Sequence, residues 1–215
     1  MNYNRIYWYR FKGVDKAKKK IIWKEIANFF HHKLGSPQKI LDSAGGMCEF
    51  INASPSQEKW VIDIEESVKD FVEGDVKTIV GDVLKVDIPK NYFDAVFISN
   101  FLEHLSSQQE VAHFLGRMYE NIRPGGKIAI IGPNFKYAYK EYFDFADHTV
   151  ILSELAVEEH LYGAGFELLE THPRFLPLSF RGKLPVHKLL ARLYLNMPFI
   201  WFLFGKQFLI IAEKK

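Results

Sequence analysis

Residues 40–50 read Ile40-Leu41-Asp42-Ser43-Ala44-Gly45-Gly46-Met47-Cys48-Glu49-Phe50. An apolar run ending in an acid and followed by small residues reads as a buried strand that turns sharply into a helix. In open α/β sheets, ligands lie beyond the carboxyl ends of the central strands, where glycines let the backbone approach them closely. The plain alternative is a strand-to-helix turn that holds nothing, because a Gly-Gly pair occurs in such turns without a ligand. What surrounds the stretch decides between the two.

Apolar runs and helical stretches alternate along the rest of the chain. Strands are predicted at Lys39–Ser43, Lys59–Ile64, Thr78–Gly81, Phe93–Ser99, Lys127–Gly132, Gly165–Thr171 and Gln207–Glu213. Helices are predicted over 14–34, where Ile21, Ile22, Ile26, Phe29 and Phe30 recur at helical spacing, and over Glu66–Val72, Gln108–Asn121 and Ser153–Ala164. Strands separated by helices predict a Rossmann-like α/β fold with a seven-stranded, mainly parallel sheet. The last strand follows a long insertion and is expected antiparallel, as a hairpin partner of Gly165–Thr171. This gives one domain: a helical N-terminal cap (1–34), a core (38–134), a lid with an aromatic insertion (135–204) and the final strand (205–215).

Polar residues fall at the strand ends. Asp63 ends the second strand about 20 residues beyond the loop, where α/β nucleotide sites place a ribose-binding acid. Asp82 ends the third, Ser99 and Asn100 the fourth, and a Pro-Gly-Gly turn precedes the fifth. The composition is that of a globular protein, with 48% hydrophobic and 25% charged residues and a net charge of +2. One cysteine excludes an internal disulfide framework and suits the cytoplasm. No run of about 20 apolar residues predicts a membrane span, and arginines interrupt the apolar N-terminus, unlike a signal peptide.

Together, "ILDSAGGMCEF", "VIDIEES", "VGDV", "FDAVFISNFLEHL" and "IRPGGKIAIIGPN" resemble the class I S-adenosylmethionine-dependent methyltransferases over roughly residues 38–134. The segments from "YFDFADHTVILSELAVEEHLYGAGFELLE" to "GKQFLIIAEKK" resemble a bacterial subfamily associated with glycan and surface-polysaccharide biosynthesis. Cys48 departs from the family pattern, which has glycine there. The resemblance implies that Asp42 and the backbone of Ala44, Gly45 and Gly46 hold the methionine part of S-adenosylmethionine. It also implies that Asp63, with Ile64 beside it, takes the ribose, Asp82 and Val83 the adenine, and Ser99 and Asn100 the sulfonium side, S-adenosylhomocysteine being the product. A dehydrogenase is disfavoured because the loop lacks G-x-G-x-x-G spacing.

Methyl transfer from a sulfonium mainly demands alignment, and a hydroxyl acceptor also needs a base. His148, with Asp147 expected to fix its tautomer, and His104 are the candidates, each against the reading of a structural histidine. Asn134, Tyr137, Tyr139 and Arg174 are the candidate substrate-binding residues. The expected acceptor is a small or carrier-linked hydroxylated molecule such as a sugar or glycan. N-methylation and a non-catalytic cofactor-binding subunit are the alternatives. No metal is expected, although Glu103, His104 and His148 are similar in part to the Glu-x-x-Glu-His site by which some methyltransferases bind a divalent ion.

Two surface readings stay open. Bases at Arg5, Arg10 and Lys12 and along the 14–34 helix interleave with Tyr3, Tyr7, Trp8, Tyr9 and Phe11. This suits single-stranded nucleic acid, but a solvated helix covering the site is the preferred reading, so nucleic acid is not the expected partner. Residues 183–204 combine bases with leucines and aromatics, which suits peripheral contact with the inner membrane face. A lid or homodimer interface accounts for the same residues and is preferred.

Overall fold

The protein is represented by a computed structural model that describes residues 3–10, 12, 15–178 and 187–215. Residues 179–186 of the predicted insertion, Phe11, Val14 and the side chains of Tyr3, Tyr7 and Trp8 lie outside the described set. In chain order the elements are α1 (Tyr3–Arg10), α2 (Lys16–Lys33), β1 (Lys39–Asp42), α3 (Glu49–Ala53), β2 (Glu58–Asp63), β3 (Lys77–Val80), β4 (Phe93–Ser99), α4 (Gln108–Asn121), β5 (Ile122–Pro133), α5 (Phe135–Ala138), α6 (Glu154–Ala164), β6 (Glu167–His172), α7 (Lys188–Leu195), α8 (Pro198–Phe204) and β7 (Gln207–Glu213).

The strands form one seven-stranded sheet in the order β3-β2-β1-β4-β5-β7-β6. β1 through β5 pair in parallel. β7 inserts antiparallel between β5 and β6, as the Ile130↔Ile210 and Thr171↔Ile210 pairs show. The predicted sheet, its antiparallel last strand and the hairpin are therefore present. The chain reverses direction across the sheet between β1 and β4, which puts the switch point beside the glycine loop.

Local differences have local causes. α2 starts at Lys16 because the Asp15 side chain accepts from the Ala17 and Lys18 amides at 3.0 and 3.2 Å. The predicted helix at 66–72 is only a 3-10 turn, Glu66–Asp70. β5 begins five residues early, at Ile122, and reaches the regular register at Lys127 through a bulge around Gly125 and Gly126. Ile21 is exposed rather than buried with Ile26 and Phe30.

Each face of the sheet carries its own core. α4 and α6 cover one, through Phe114, Leu115, Val157 and Leu161. α2, α3 and the tail cover the other, through Ile26, Phe30, Phe50, Phe175, Leu195 and Trp201. There the aromatic residues of the two chain ends meet: Phe50 stacks on Phe97 at 3.5 Å, Phe30 lies edge-on to Phe97 at 4.9 Å, and Phe175 to Trp201 at 4.8 Å. Burying one such ring stabilises by about 1.5–3 kcal/mol. The two ends are thus parts of the core, and they brace the strand carrying Ser99 and the loop carrying Gly45.

Candidate active site

The loop after β1 is folded onto β2. The Gly45 amide donates to the Ile62 carbonyl at 3.1 Å, and the Gly46 amide donates to Asp63 Oδ2 at 2.7 Å. A Cβ on Gly45 would lie 2.2 Å from Val61 Cγ2, so only glycine fits there. Gly46 and Cys48 both have left-handed backbones, with φ of 52° and 59°. That conformation explains why glycine suits position 48. Cys48 adopts it nonetheless, with its side chain fully buried and Sγ 3.8 Å from the Val68 carbonyl. The cysteine therefore points into the core, not the crevice.

Asp42 is buried at the foot of this loop. Burial, together with the nearby charges of Asp63 and Glu49, pushes its carboxyl up to about 8. Burial also raises Asp63, partly offset by the Glu65, Gly46 and Ile64 amides. Lys19 of α2 pairs with Glu49 at 2.5 Å. Beyond Asp63, Ile64 leaves 67% of its surface exposed at the rim. Asp82 caps its own turn, accepting from the Leu84 amide at 2.9 Å and from Lys85 Nζ at 2.8 Å, which holds it below the usual carboxylate range. Val83 is buried beneath it. Asn100, at φ 50°, donates its amide to the Ile131 carbonyl and stands exposed beside Ser99.

The second half of the site is assembled from two distant stretches. The Thr149 and Val150 amides donate to the Glu103 carbonyl at 2.9 and 3.1 Å, which brings His148 within 5.0 Å of His104, centroid to centroid. His148 stacks on Phe145 and lies edge-on to Tyr142. Burial, then the His104 charge, lowers its pKa to about 4, so its imidazole is neutral at pH 7. Its Nδ1 is buried without a hydrogen-bond partner, and so is Oε1 of Glu103, which is 1% exposed. Burial raises the Glu103 pKa as well.

Here the expectation for Asp147 is corrected. Its carboxylate does not orient His148 but pairs with Arg10 of α1 and lies 3.5 Å from His104 Nδ1. Burial opposes its ionisation, but Arg10 and His104 outweigh that and hold it below the usual range. His104 Nδ1 also meets the Asp147 carbonyl at 3.0 Å. A carbonyl only accepts, so Nδ1 carries a proton, and Nε2 lies 3.9 Å from Glu103 Oε1. Glu103, His104 and His148 each offer one ligand atom, all within 4.8 Å of one another.

Residues 34–130 match the family model described as a methyltransferase domain. Over those residues the chain is similar to methyltransferase domains. The curated demethylmenaquinone methyltransferase of Mycobacterium tuberculosis is 29% identical over 119 residues, which cover 51% of this chain and 50% of that protein. The chain thus spans about half the length of that relative. A crystal structure of an S-adenosylmethionine-dependent methyltransferase from Archaeoglobus fulgidus shares the fold at a TM-score of 0.69 and 22% identity, over 99% of this chain and 100% of that one. The N-methyltransferase NodS from Bradyrhizobium japonicum, in complex with S-adenosylhomocysteine, matches at a TM-score of 0.62 and 12% identity, over 87% and 84% of the two chains.

The residues around the loop after β1 suit S-adenosylmethionine. A cluster of carboxyls that keeps Asp42 protonated suits a ligand bearing an ammonium and a sulfonium charge. Asp63 has acceptor capacity left for ribose hydroxyls after its two backbone bonds. Two of the expected substrate contacts take other posts. Asn134 is corrected: it is fully buried, caps α5, and donates to Glu154 at 2.6 Å and to the Pro173 carbonyl at 2.8 Å. Arg174 donates to the Gly205 and Leu203 carbonyls at 2.8 and 3.1 Å, securing the end of α8, while its guanidinium lies over Tyr137. Tyr137 and Tyr139 are exposed. Glu49 and Arg10 went unread as site residues. Only the spatial neighbours of Asp42 and Asp147 reveal them. Arg10, Lys19 and Lys20 pair with Asp147, Glu49 and Glu73 of the protein body.

Proposed function

We propose that the protein O-methylates a small or carrier-linked hydroxylated acceptor, a sugar or glycan foremost, and that the crevice at the carboxyl ends of β1, β2 and β4 binds S-adenosylmethionine. The observation that carries the acceptor class is the dry pair Glu103 and His148, two proton-accepting side chains with unpartnered buried atoms beside the end of β4. When bound, the cofactor supplies the methyl group and leaves as a neutral thioether. The chain's part is to align the acceptor oxygen, exclude water with Tyr142, Phe145 and α1, and receive the hydroxyl proton. His148 has a conjugate-acid pKa of about 4, which makes it a weak base. Glu103, raised by burial above the usual carboxylate range, is when ionised a stronger base than the His148 imidazole. Asp42, the Ala44–Gly46 backbone, Asp63, Ile64, Val83, Ser99 and Asn100 are the proposed cofactor contacts.

The test is an untargeted search for a mass gain of one methylene among glycans, sugars and quinones incubated with the protein and the cofactor. A methylated hydroxyl supports the reading, while a methylated amine as the sole product overturns it. The relative's name points to demethylmenaquinone, and that acceptor forms a separate arm of the search. Cofactor binding without turnover on any acceptor class would favour a binding subunit.

A second reading rests on the same unpartnered atoms. Glu103, His104 and His148 present a carboxylate and two imidazoles, a donor set suited to a divalent transition metal. Titration with zinc and manganese, repeated on Glu103→Gln and His148→Ala, decides it: binding that both substitutions abolish supports a metal, and no binding overturns it.

A further inference from the structure

Between Glu170 and Glu213 the chain has no acidic residue, yet it holds six of the protein's 28 lysines and arginines: Arg174, Arg181, Lys183, Lys188, Arg192 and Lys206. The rest of the sequence, with 22 bases against 26 acids, is net acidic. This basic stretch also carries the largest group of exposed apolar side chains among the described residues. Leu189, Leu190 and Leu193 on α7, and Phe199, Phe202 and Leu203 on α8, are between 46% and 69% exposed. Both helices are held from their other faces. Tyr194 donates to the Phe175 carbonyl at 2.5 Å, Trp201 donates to the Tyr194 carbonyl at 2.6 Å, and Leu195 and Trp201 are buried. The apolar side chains therefore project outward from fixed helices.

We infer that α7 and α8 form a docking surface for an anionic lipid bilayer. Leucines and phenylalanines beside Lys188 and Arg192 give the two elements such a surface requires: apolar groups to enter the acyl boundary and cations to meet lipid phosphates. Charge selects this occupant over a second copy of the chain. Lys188 lies 3.9 Å from the buried Glu25 of α2 yet stays two-thirds exposed, and a two-fold interface would set Lys188 and Arg192 against their own copies, which like-charge repulsion opposes. The helices have 8 and 7 residues and are separated by Asn196 and Met197, so they would lie on a bilayer rather than cross it. No helix among the described residues is long and apolar enough to cross one.

The surface adjoins α5, the helix that follows β5. The Arg174 guanidinium lies over Phe202 of α8 at 5.1 Å and over Tyr137 of α5 at 5.0 Å. A lipid-carried acceptor would then reach the crevice from the membrane side. That last step rests on the proposed methyl transfer, whereas lipid binding does not.

The experiment is flotation of the full chain with vesicles of phosphatidylcholine alone and of phosphatidylcholine mixed with phosphatidylglycerol. The protein should float with the mixed vesicles, bind the neutral ones weakly, and dissociate as salt rises. The charge-reversing pair Lys188→Glu and Arg192→Glu should lower binding by more than about tenfold, since each cation near the surface contributes roughly fivefold. The exposed pair Leu193→Ser and Phe202→Ser should lower it comparably, with an unchanged melting temperature confirming the fold. No flotation with any vesicle, or equal binding to neutral and anionic ones, overturns the inference. So does a stable dimer in solution that the serine pair dissolves. None of these outcomes bears on whether the crevice transfers methyl groups.

Discussion

Asp42 should release a proton when the cofactor site fills. Its carboxyl lies at the end of β1, 3% exposed, with a pKa pushed up to about 8 by burial and by Asp63 and Glu49. At pH 7 such a group is about nine-tenths protonated. A bound ammonium beside it favours the anion, so binding of S-adenosylhomocysteine, which keeps that ammonium, should expel up to about 0.9 proton at pH 7. Calorimetry in phosphate and in Tris should then give heats that differ in proportion to the buffers' ionisation enthalpies. Affinity should rise by up to about tenfold per pH unit between roughly pH 6 and 8, and flatten above. Asp42→Asn should remove both dependences and weaken binding by about 1–3 kcal/mol. Without ligand the sign reverses. The folded pKa lies above the unfolded one, so the folded state binds more protons between about pH 4 and 8, and Asp42 destabilises the free protein increasingly across that window. Asp42→Asn should therefore be the more stable protein at pH 8 and above. Heats that agree across buffers, with affinity flat from pH 6 to 8, would refute the reasoning.

Three further outcomes follow from the same geometry. Gly45→Ala forces a Cβ to 2.2 Å from Val61 Cγ2 and should lower stability by about 1–3 kcal/mol in thermal melts, with Val61→Ala restoring part of it; an unchanged melt would contradict the packing. Glu103→Gln should lower turnover by about 100-fold or more while S-adenosylhomocysteine affinity holds, and His148→Ala should do likewise if His148 shares the proton; full activity of both, in steady-state assays, would make the pair structural. The His148 pKa falls from 6.5 to about 4 on folding, so its contribution is complete above pH 6.5 and is lost as pH drops toward 4. Denaturation across that range should show a loss of up to about 3 kcal/mol that His148→Gln reduces, and identical curves for the two proteins would sink the assignment.

Whatever depends on periodicity and chain order was legible in the sequence. Strands such as Phe93–Ser99 are uninterrupted apolar runs because both faces of the sheet are covered, and the acids Asp42 and Asp63 mark where those strands leave the core. The direction in which a side chain points was not legible. Asp147 precedes His148 in sequence, yet its carboxylate faces Arg10 from the other end of the chain, 137 residues away. Asn134 follows a strand at the rim, where a substrate contact is plausible, but an asparagine before Phe135–Ala138 is also a helix cap, and capping prevails. Arg174 lies among exposed aromatics, and its guanidinium serves the carbonyls that end α8. Glu103 drew notice only as a metal ligand, because nothing in "NFLEHL" says that its carboxyl is enclosed.

The two halves of the crevice differ in charge, and that difference organises the chemistry. At the β1–β2 end, Asp42, Asp63 and Glu49 make a site that an anion would enter badly and a cation well. At the β4 end, His148 is neutral, burial raises Glu103 above the usual carboxylate range, and the charge of Asp147 is offset by Arg10. Methyl transfer removes the sulfonium's positive charge and liberates the acceptor's proton. A carboxylate-rich end stabilises the first charge before transfer, and at the other end the lone pair of the neutral His148 or an ionised Glu103 would take the second. Arg10 pairs with Asp147 and so offsets the one carboxylate that faces both rings, whose charge would otherwise favour a protonated His148 and remove the lone pair the step needs.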